Sequence, residues 1–314
     1  MKTLQHSIFS INLSEKGFTI VELSIAVTLA LFITGVTYMA YITQQRSYVS
    51  QEQVGEMQSS TQVSLSMLTR DIREAGFGVP TKFNINGETQ IIRVEDNKGI
   101  NNSDRLFLVG GFRQVSELDI TYQLKPGKPV TVKDGTKMGT FSTLAQWTSE
   151  QNNNRENQQY GRHNISLLGM MMGTVIGVNE QAKTLSIVTD GNLGNPSSIE
   201  AGSPIYIVED IIYQIEKRQQ NGIDIYELVR WNRNKKPNHK TTIAENIENM
   251  QVRLLDGNRR AEIHLLAKTE GEDPIFENQG KQLAFDDATA TWQEIGTNDG
   301  YRRRLIVLSV ALRN

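Results

Sequence analysis

Glu22 stands at the mouth of a 20-residue run, Leu23 to Ile42 (LSIAVTLALFITGVTYMAYI), that contains no Asp, Glu, Lys, Arg or His. A carboxylate at such a boundary has two chemical roles open to it. It can mark a functional position, since a carboxylate in an apolar membrane segment is costly and seldom retained without a use, or it can complement the positive end of its own helix. Position alone leaves both open.

Elsewhere the groups that could do chemistry are scattered. His6, His163, His239 and His264 lack metal-ligand spacing, and neither a GxSxG nor a P-loop pattern occurs. The adjacent carboxylates Glu209-Asp210 and Asp286-Asp287 read as solvated faces or strand ends rather than acid-base pairs. Two oxygen-rich stretches, EDNKGINNSD from Glu95 and TDGNLGNP from Thr189, lack EF-hand spacing, and Asp, Asn and Gly make turns on their own account. Arg302 to Arg304 would open a strand, where three cations read as a solvated edge or a subunit contact rather than a phosphate grip. The absence of cysteine removes disulfides, thiolate metal sites and thiol catalysis. With 33 Lys plus Arg against 35 Asp plus Glu, no global attraction to nucleic acid arises. No enzyme activity, metal, cofactor or nucleic acid is expected.

The elements that must carry Glu22 come next. Twenty uncharged residues at about 1.5 Å rise make roughly 30 Å of helix, the thickness of a bilayer's hydrocarbon core. Leu23, Ile25, Val27, Leu29, Leu31, Ile33, Val36 and Ile42 supply its apolar surface, and Tyr38 and Tyr41 suit the far interface. A cleaved secretory signal fits poorly, because the run is too long and Tyr38 occupies a position that should be small. Lys2, Lys16 and the chain amine precede the run while only Arg46 follows closely, which favours a cytoplasmic amino end. Mean hydropathy is nonetheless negative, so the rest of the chain reads as a polar body on a single anchor.

Beyond the anchor, Val54, Met57, Thr61, Leu65, Leu68, Ile72 and Ala75 recur at helical spacing. The reading is one helix of two halves, 18–43 spanning and 44–76 amphipathic, with the stripe covering a body; a coiled-coil seam is the alternative. DIREAGFGVP ends it, with Gly76 in the left-handed cap position and Pro80 barring continuation. The body, 77–314, reads as strands: Leu118 to Leu124; hairpins of Gly173–Val178 with Thr184–Thr189 and of Pro204–Arg218 with Ile223–Trp231; and a covered central strand from Leu305 to Leu312. A mobile loop is expected at about 146–164, around QNNNRENQQ.

Lys16-Gly17-Phe18-Thr19-Ile20-Val21-Glu22-Leu23 resembles the class III signal of type IV pilins and pseudopilins. Leu68 to Gly76, Ala244 to Arg253 (as a short helix leading into a strand) and Arg302 to Asn314 are similar to parts of PilW-like minor pilins. The resemblance implies an α+β, pilin-like fold: a long amino-terminal helix packed on a mainly antiparallel β-sheet head. It implies a leader of 17 residues, cut by a prepilin peptidase between Gly17 and Phe18, and methylation of the new Phe18 amine. It gives Glu22 a partner in a neighbouring subunit's Phe18 amine in the filament core. Pilins often soften this helix with proline, whereas here only Gly35 is available. The function implied is assembly, in a priming or tip complex with other minor pilins, the major pilin and the assembly platform. The setting is a bacterial inner membrane, with a periplasmic head. A minor pseudopilin of type II secretion, or a tethered periplasmic binding module or enzyme, is the competing expectation.

Overall fold

A computed structural model describes residues 17–312 apart from 82, 84, 86–87, 124–127, 134–137, 154–164, 190–197, 221, 234–239, 276–281, 287–288, 290 and 295–298, and apart from the side chains of 147, 149–153 and 189. The chain falls into two compact units, Met1–Gln51 and Glu52–Asn314.

Helix α1 (Ile20–Glu74) contributes to both. It stops where the sequence says it should. Gly76 has φ +80°, and its N–H donates to Val109 O at 2.8 Å, handing the chain to a strand. A Cβ there would lie 2.8 Å from Ile91 Cδ1, so both the backbone conformation and the space ask for glycine.

In the second unit, β1 (Ile92–Glu95), β2 (Arg105–Glu117), β3 (Tyr122–Gln123) and β4 (Val130–Thr131) precede α2 (Met138–Asn153). Then come β5 (Ile165–Leu167), β6 (Met171–Asn179), β7 (Thr184–Thr189), β8 (Ser198–Ile199), β9 (Pro204–Gln220) and β10 (Ile223–Asn232). The series closes with β11 (Lys240–Glu245), β12 (Ile247–Leu255), β13 (Arg260–Lys268), β14 (Leu283–Asp286), β15 (Thr291–Glu294) and β16 (Arg303–Ala311). One sheet has the order β1-β2-β9-β5-β6-β7-β4, with β10 also on β9 and β11 on β10. A second has the order β12-β13-β16, and β14-β15 and β3-β8 are separate pairs. Pairing is antiparallel throughout. The fold class is α+β.

The stripe on α1 faces this body. Met57, Leu68, Ile72 and Ala75 are buried, and Val54 and Leu65 half-buried, against Leu106, Leu108, Ile211 and Leu228 of the large sheet and Ile263, Leu265 and Val310 of the small one. Burying such side chains contributes about 1.5–3 kcal/mol each, enough to make this part of the helix a core element rather than a coiled-coil seam. A second core gathers Phe141 and Leu144 of α2 over Val175, Leu185 and Ile205.

Both predicted hairpins form, as β6-β7 and β9-β10. Four expectations are corrected. No single strand runs from Leu118 to Gln123: β2 ends at Glu117, Leu118 makes an isolated bridge to Val132, Ile120 is exposed at a bend and only Tyr122–Gln123 is strand, while Leu124 lies outside the described residues. Alternation there reflects a turn that inserts Leu118 and Tyr122 into the second core. Residues 146–153, expected to be loop, continue α2, whose preceding turns are anchored by Phe141, Leu144 and Ala145 in the second core; 154–164 lie outside the described residues. The stretch Ala244 to Arg253 contains no helix, because Asn246, at φ +61°, joins β11 directly to β12. Finally, β16 is an edge strand with only β13 beside it among the described residues, although both its faces are apolar.

Candidate functional site

At the amino end, Gly17, Phe18 and Thr19 precede the first turn of α1, and Phe18 is 87% exposed. Thr19 N–H and Oγ1 both donate to Glu22 Oε2, at 2.9 and 3.0 Å, while Glu22 N–H donates to Thr19 Oγ1 at 3.2 Å. This reciprocal box satisfies donors that every helix start leaves open. Glu22 thus has a local role in the intact chain. Leu23, Ile25, Val27, Leu29, Leu31, Ile33 and Val36 are all exposed, and Ile42 partly so. A helix this long and apolar can cross a membrane once, and none of its most apolar stretch is buried in the protein itself.

At the other end of α1 lies a site that the sequence reading missed. Asp71 sits on the buried side of the helix, and its carboxylate is fully enclosed. Tyr213 Oη donates to Asp71 Oδ2 at 2.7 Å, Arg230 Nε donates to the same oxygen at 2.7 Å, and Arg70 holds Oδ1 from the rim. Arg230 also reaches Glu209 Oε2 at 3.2 Å. The helix is therefore pinned to β9 and β10 by charge as well as by packing.

Glu209 and Asp210 are consecutive, so they leave β9 on opposite faces. Arg233 meets Asp210 Oδ2 at 2.7 Å and Glu88 Oε1 at 3.3 Å. Arg93 grips Glu88 at 2.6 and 2.8 Å and Glu95 at 2.7 Å, with its guanidinium 3.8 Å from the Phe107 ring centre. Glu209-Asp210 is thus not a solvated face: the apolar strands around it enclose both carboxylates, and arginines make that tolerable. Arg303 likewise is buried between Glu248 and Asp299, its bonds running from 2.7 to 3.1 Å, which corrects the reading of Arg302 to Arg304 as a solvated edge. Arg302 pairs with Asp273, and only Arg304 stays exposed.

The remaining sequence candidates are structural where they are described. His264 Nδ1 accepts from Trp292 Nε1 at 3.2 Å, leaving its Nε2 proton for Glu262 at 3.1 Å, and its ring meets Phe285 edge-on. It anchors the β14-β15 hairpin. His6, His163, His239, Asp287 and most of TDGNLGNP lie outside the described residues. In the EDNKGINNSD turn, Asp104 accepts from Asn97 N–H at 2.9 Å and Val252 N–H at 2.7 Å, so its carboxylate is spent on backbone.

These environments set a pH window. Burial, then the Asp71 charge, pushes the Tyr213 phenol well above its ordinary value. Burial alone would push Glu88 up, but Arg93 and Arg233 outweigh it and hold its carboxyl below the usual range. A raised phenol contributes stability below its unfolded pKa of about 10 and loses it as pH rises. A depressed carboxyl contributes stability above about pH 4.5 and loses it as pH falls. The melting temperature should therefore hold between about pH 5 and 10. Tyr213→Phe should cost about 2 kcal/mol at pH 7 and flatten the alkaline decline. A variant that declines above pH 10 as steeply as wild type would remove Tyr213 as the cause.

Comparison of the chain with protein families, with curated proteins and with solved structures gives no match.

Proposed function

We propose that the protein is a minor pilin of the PilW-like kind, acting in type IV pilus assembly within a priming or tip complex with other minor pilins. One observation carries this reading. KGFTIVEL stands directly ahead of a 55-residue helix whose apolar first half is uncovered and whose amphipathic second half is a core element of a β-rich body. A plain anchor needs no such motif, and a plain anchor helix has no reason to become the spine of the domain that follows. On this reading the exposed Leu23 to Val36 surface is covered first by lipid in the inner membrane and later by the same segment of neighbouring subunits. The body lies on the periplasmic side, prepilin peptidase cuts after Gly17 and methylates Phe18, and the assembly platform and the major pilin follow as partners. Asp71 and Tyr213 are fully buried and Arg230 is mostly so, and on this reading their pairing serves the rigidity of the helix-to-body joint.

Processing tests the reading most directly. In a peptidase-positive host the membrane-extracted protein should begin at N-methylated Phe18, and Gly17→Arg should leave the full precursor, since the peptidase needs a small residue before the cut. Mass spectrometry showing Met1 retained in the wild-type chain would overturn the assignment. Deletion of the gene should abolish surface pili; loss of protein secretion with normal pili would instead indicate a type II pseudopilin.

A further inference from the structure

The two outer edges of the small sheet are treated differently. On the β12 side, Asp104 N–H donates to Met250 O at 2.8 Å and Asp104 Oδ2 accepts from Val252 N–H, so a turn caps that edge. The β16 side has no such cover among the described residues. Leu312 N–H donates to Arg259 O and Thr269 N–H to Arg302 O, which fixes the hydrogen-bonding phase of the β13-β16 ladder. Antiparallel pairs alternate, and the register has no shift from Arg303 to Ala311. Ile306, Leu308 and Val310 therefore spend their backbone groups on β13, while Leu305, Val307, Ser309 and Ala311 direct theirs outwards. Those four residues also carry the exposed side chains, with Val307 at 53% and Leu305 at 36%. No proline, glycine or bulge interrupts the strand, although exposed edges are normally blunted by such devices. Beside its far end, a groove of about 900 Å³ between α1 and Ala311 leaves room for another chain.

We propose that β16 is a strand-addition site whose occupant is an extended aliphatic segment, acidic at the end that meets Arg304, from a different protein. Arg304 is exposed and has no carboxylate partner among the described residues. A second copy fits badly in either direction. Parallel self-pairing would, by the same phase, need an odd register shift, and a shift of one sets Arg304 of one copy against Arg303 of the other; like charges directly opposite are destabilising. Antiparallel self-pairing would oppose the two helices. Gln53 lies against Gly271 near the start of β16 and Leu65 lies near Ala311 at its end, so helix and strand run the same way. Subunits anchored by one end in one membrane need their helices co-directed. That last step rests on the anchored-subunit reading; the open edge does not.

The test is amide hydrogen exchange on the full chain in detergent micelles, with a short acetylated peptide that alternates valine and threonine and carries glutamate at each end. In the free protein, Leu305, Val307, Ser309 and Ala311 amides should exchange fast and Ile306, Leu308 and Val310 slowly. Saturating peptide should slow the first set at least about tenfold. A lysine-ended peptide should bind about tenfold more weakly, and Val307→Lys with Ser309→Lys should abolish binding while Ile176→Lys on β6 does not. Edge amides already protected in monomeric protein, or no slowing with either peptide, would overturn the site. Protection that grows with protein concentration alone would assign the edge to a second copy and overturn the proposed occupant. Neither result bears on leader processing, so the two proposals fail separately.

Discussion

Asp71→Ala should destabilise the folded body by about 3 kcal/mol, because it strips the mostly buried Arg230 of its closest counter-charge. For a unit of this size that is a fall of roughly 10 °C in melting temperature. The size of the effect follows from how much converges on one carboxylate: the Tyr213 hydroxyl, the Arg230 guanidinium and, from the rim, Arg70. Arg230 then loses its shortest partner and keeps Glu209 at 3.2 Å, so part of its charge stays compensated. Asp71→Asn, which preserves acceptor geometry without the charge, should fall between alanine and wild type. Asp71→Leu combined with Arg230→Met should recover most of the loss, since apolar replacement of a whole buried pair is often neutral or stabilising while removal of one member is not. Thermal unfolding followed by near-ultraviolet circular dichroism of the detergent-solubilised chain gives all four values. An alanine variant within about 1 kcal/mol of wild type would mean that the joint is held by Leu68 and Ile72 alone.

The sequence announces the frame of this molecule more plainly than its joints. The span, the amphipathic continuation and the glycine stop are legible because each is a run of residues with one period or one steric demand, and the structure places α1 from Ile20 to Glu74 accordingly. The β6-β7 and β9-β10 hairpins are legible for the same reason: two extended apolar runs flank a short polar turn. Ionic pairing is not periodic. Asp71 is separated from Arg230 by 159 positions, and nothing local says that they meet. A signal was nevertheless present. Asp71 falls in phase with Leu68, Ile72 and Ala75, and Glu209-Asp210 interrupts the apolar strand IYIVEDIIYQI, so both charges are carried by surfaces that must be buried and each demands an arginine. Edge position is equally invisible, because two apolar faces describe a strand covered on both sides without saying whether it has one neighbour or two. Leu305 and Val307 look like core residues on paper and stand exposed in the fold.

If the protein is a pilin subunit, as proposed, Glu22→Gln should leave membrane insertion and leader cleavage intact and reduce recovery in sheared pili at least about a hundredfold, as expected when one member of a buried ion pair is removed. The structure sharpens this experiment by giving Glu22 a second occupation, the box with Thr19. A glutamine keeps a carbonyl oxygen to accept from Thr19 and loses only the charge. Thr19→Val does the reverse, removing the hydroxyl that closes the box while leaving the carboxylate. If the charge exists to meet a neighbouring Phe18 amine, glutamine fails and valine assembles; if Glu22 serves only its own helix start, valine is the damaging change and glutamine is silent. Glu22→Ala lacks both functions and should fail under either reading, so it serves as the floor. Glu22→Asp keeps the charge on a shorter arm and should assemble in part. Phe18 and Glu22 are four residues apart, one helical turn, so cleavage after Gly17, if it occurs as proposed, would set the new amine beside its own carboxylate until a neighbour competed for it. On that proposal, crosslinking to minor pilins should appear only in variants that retain the charge. Normal incorporation of Glu22→Gln at matched membrane abundance would remove the intermolecular role and leave the helix cap as the whole reason for a glutamate at this position.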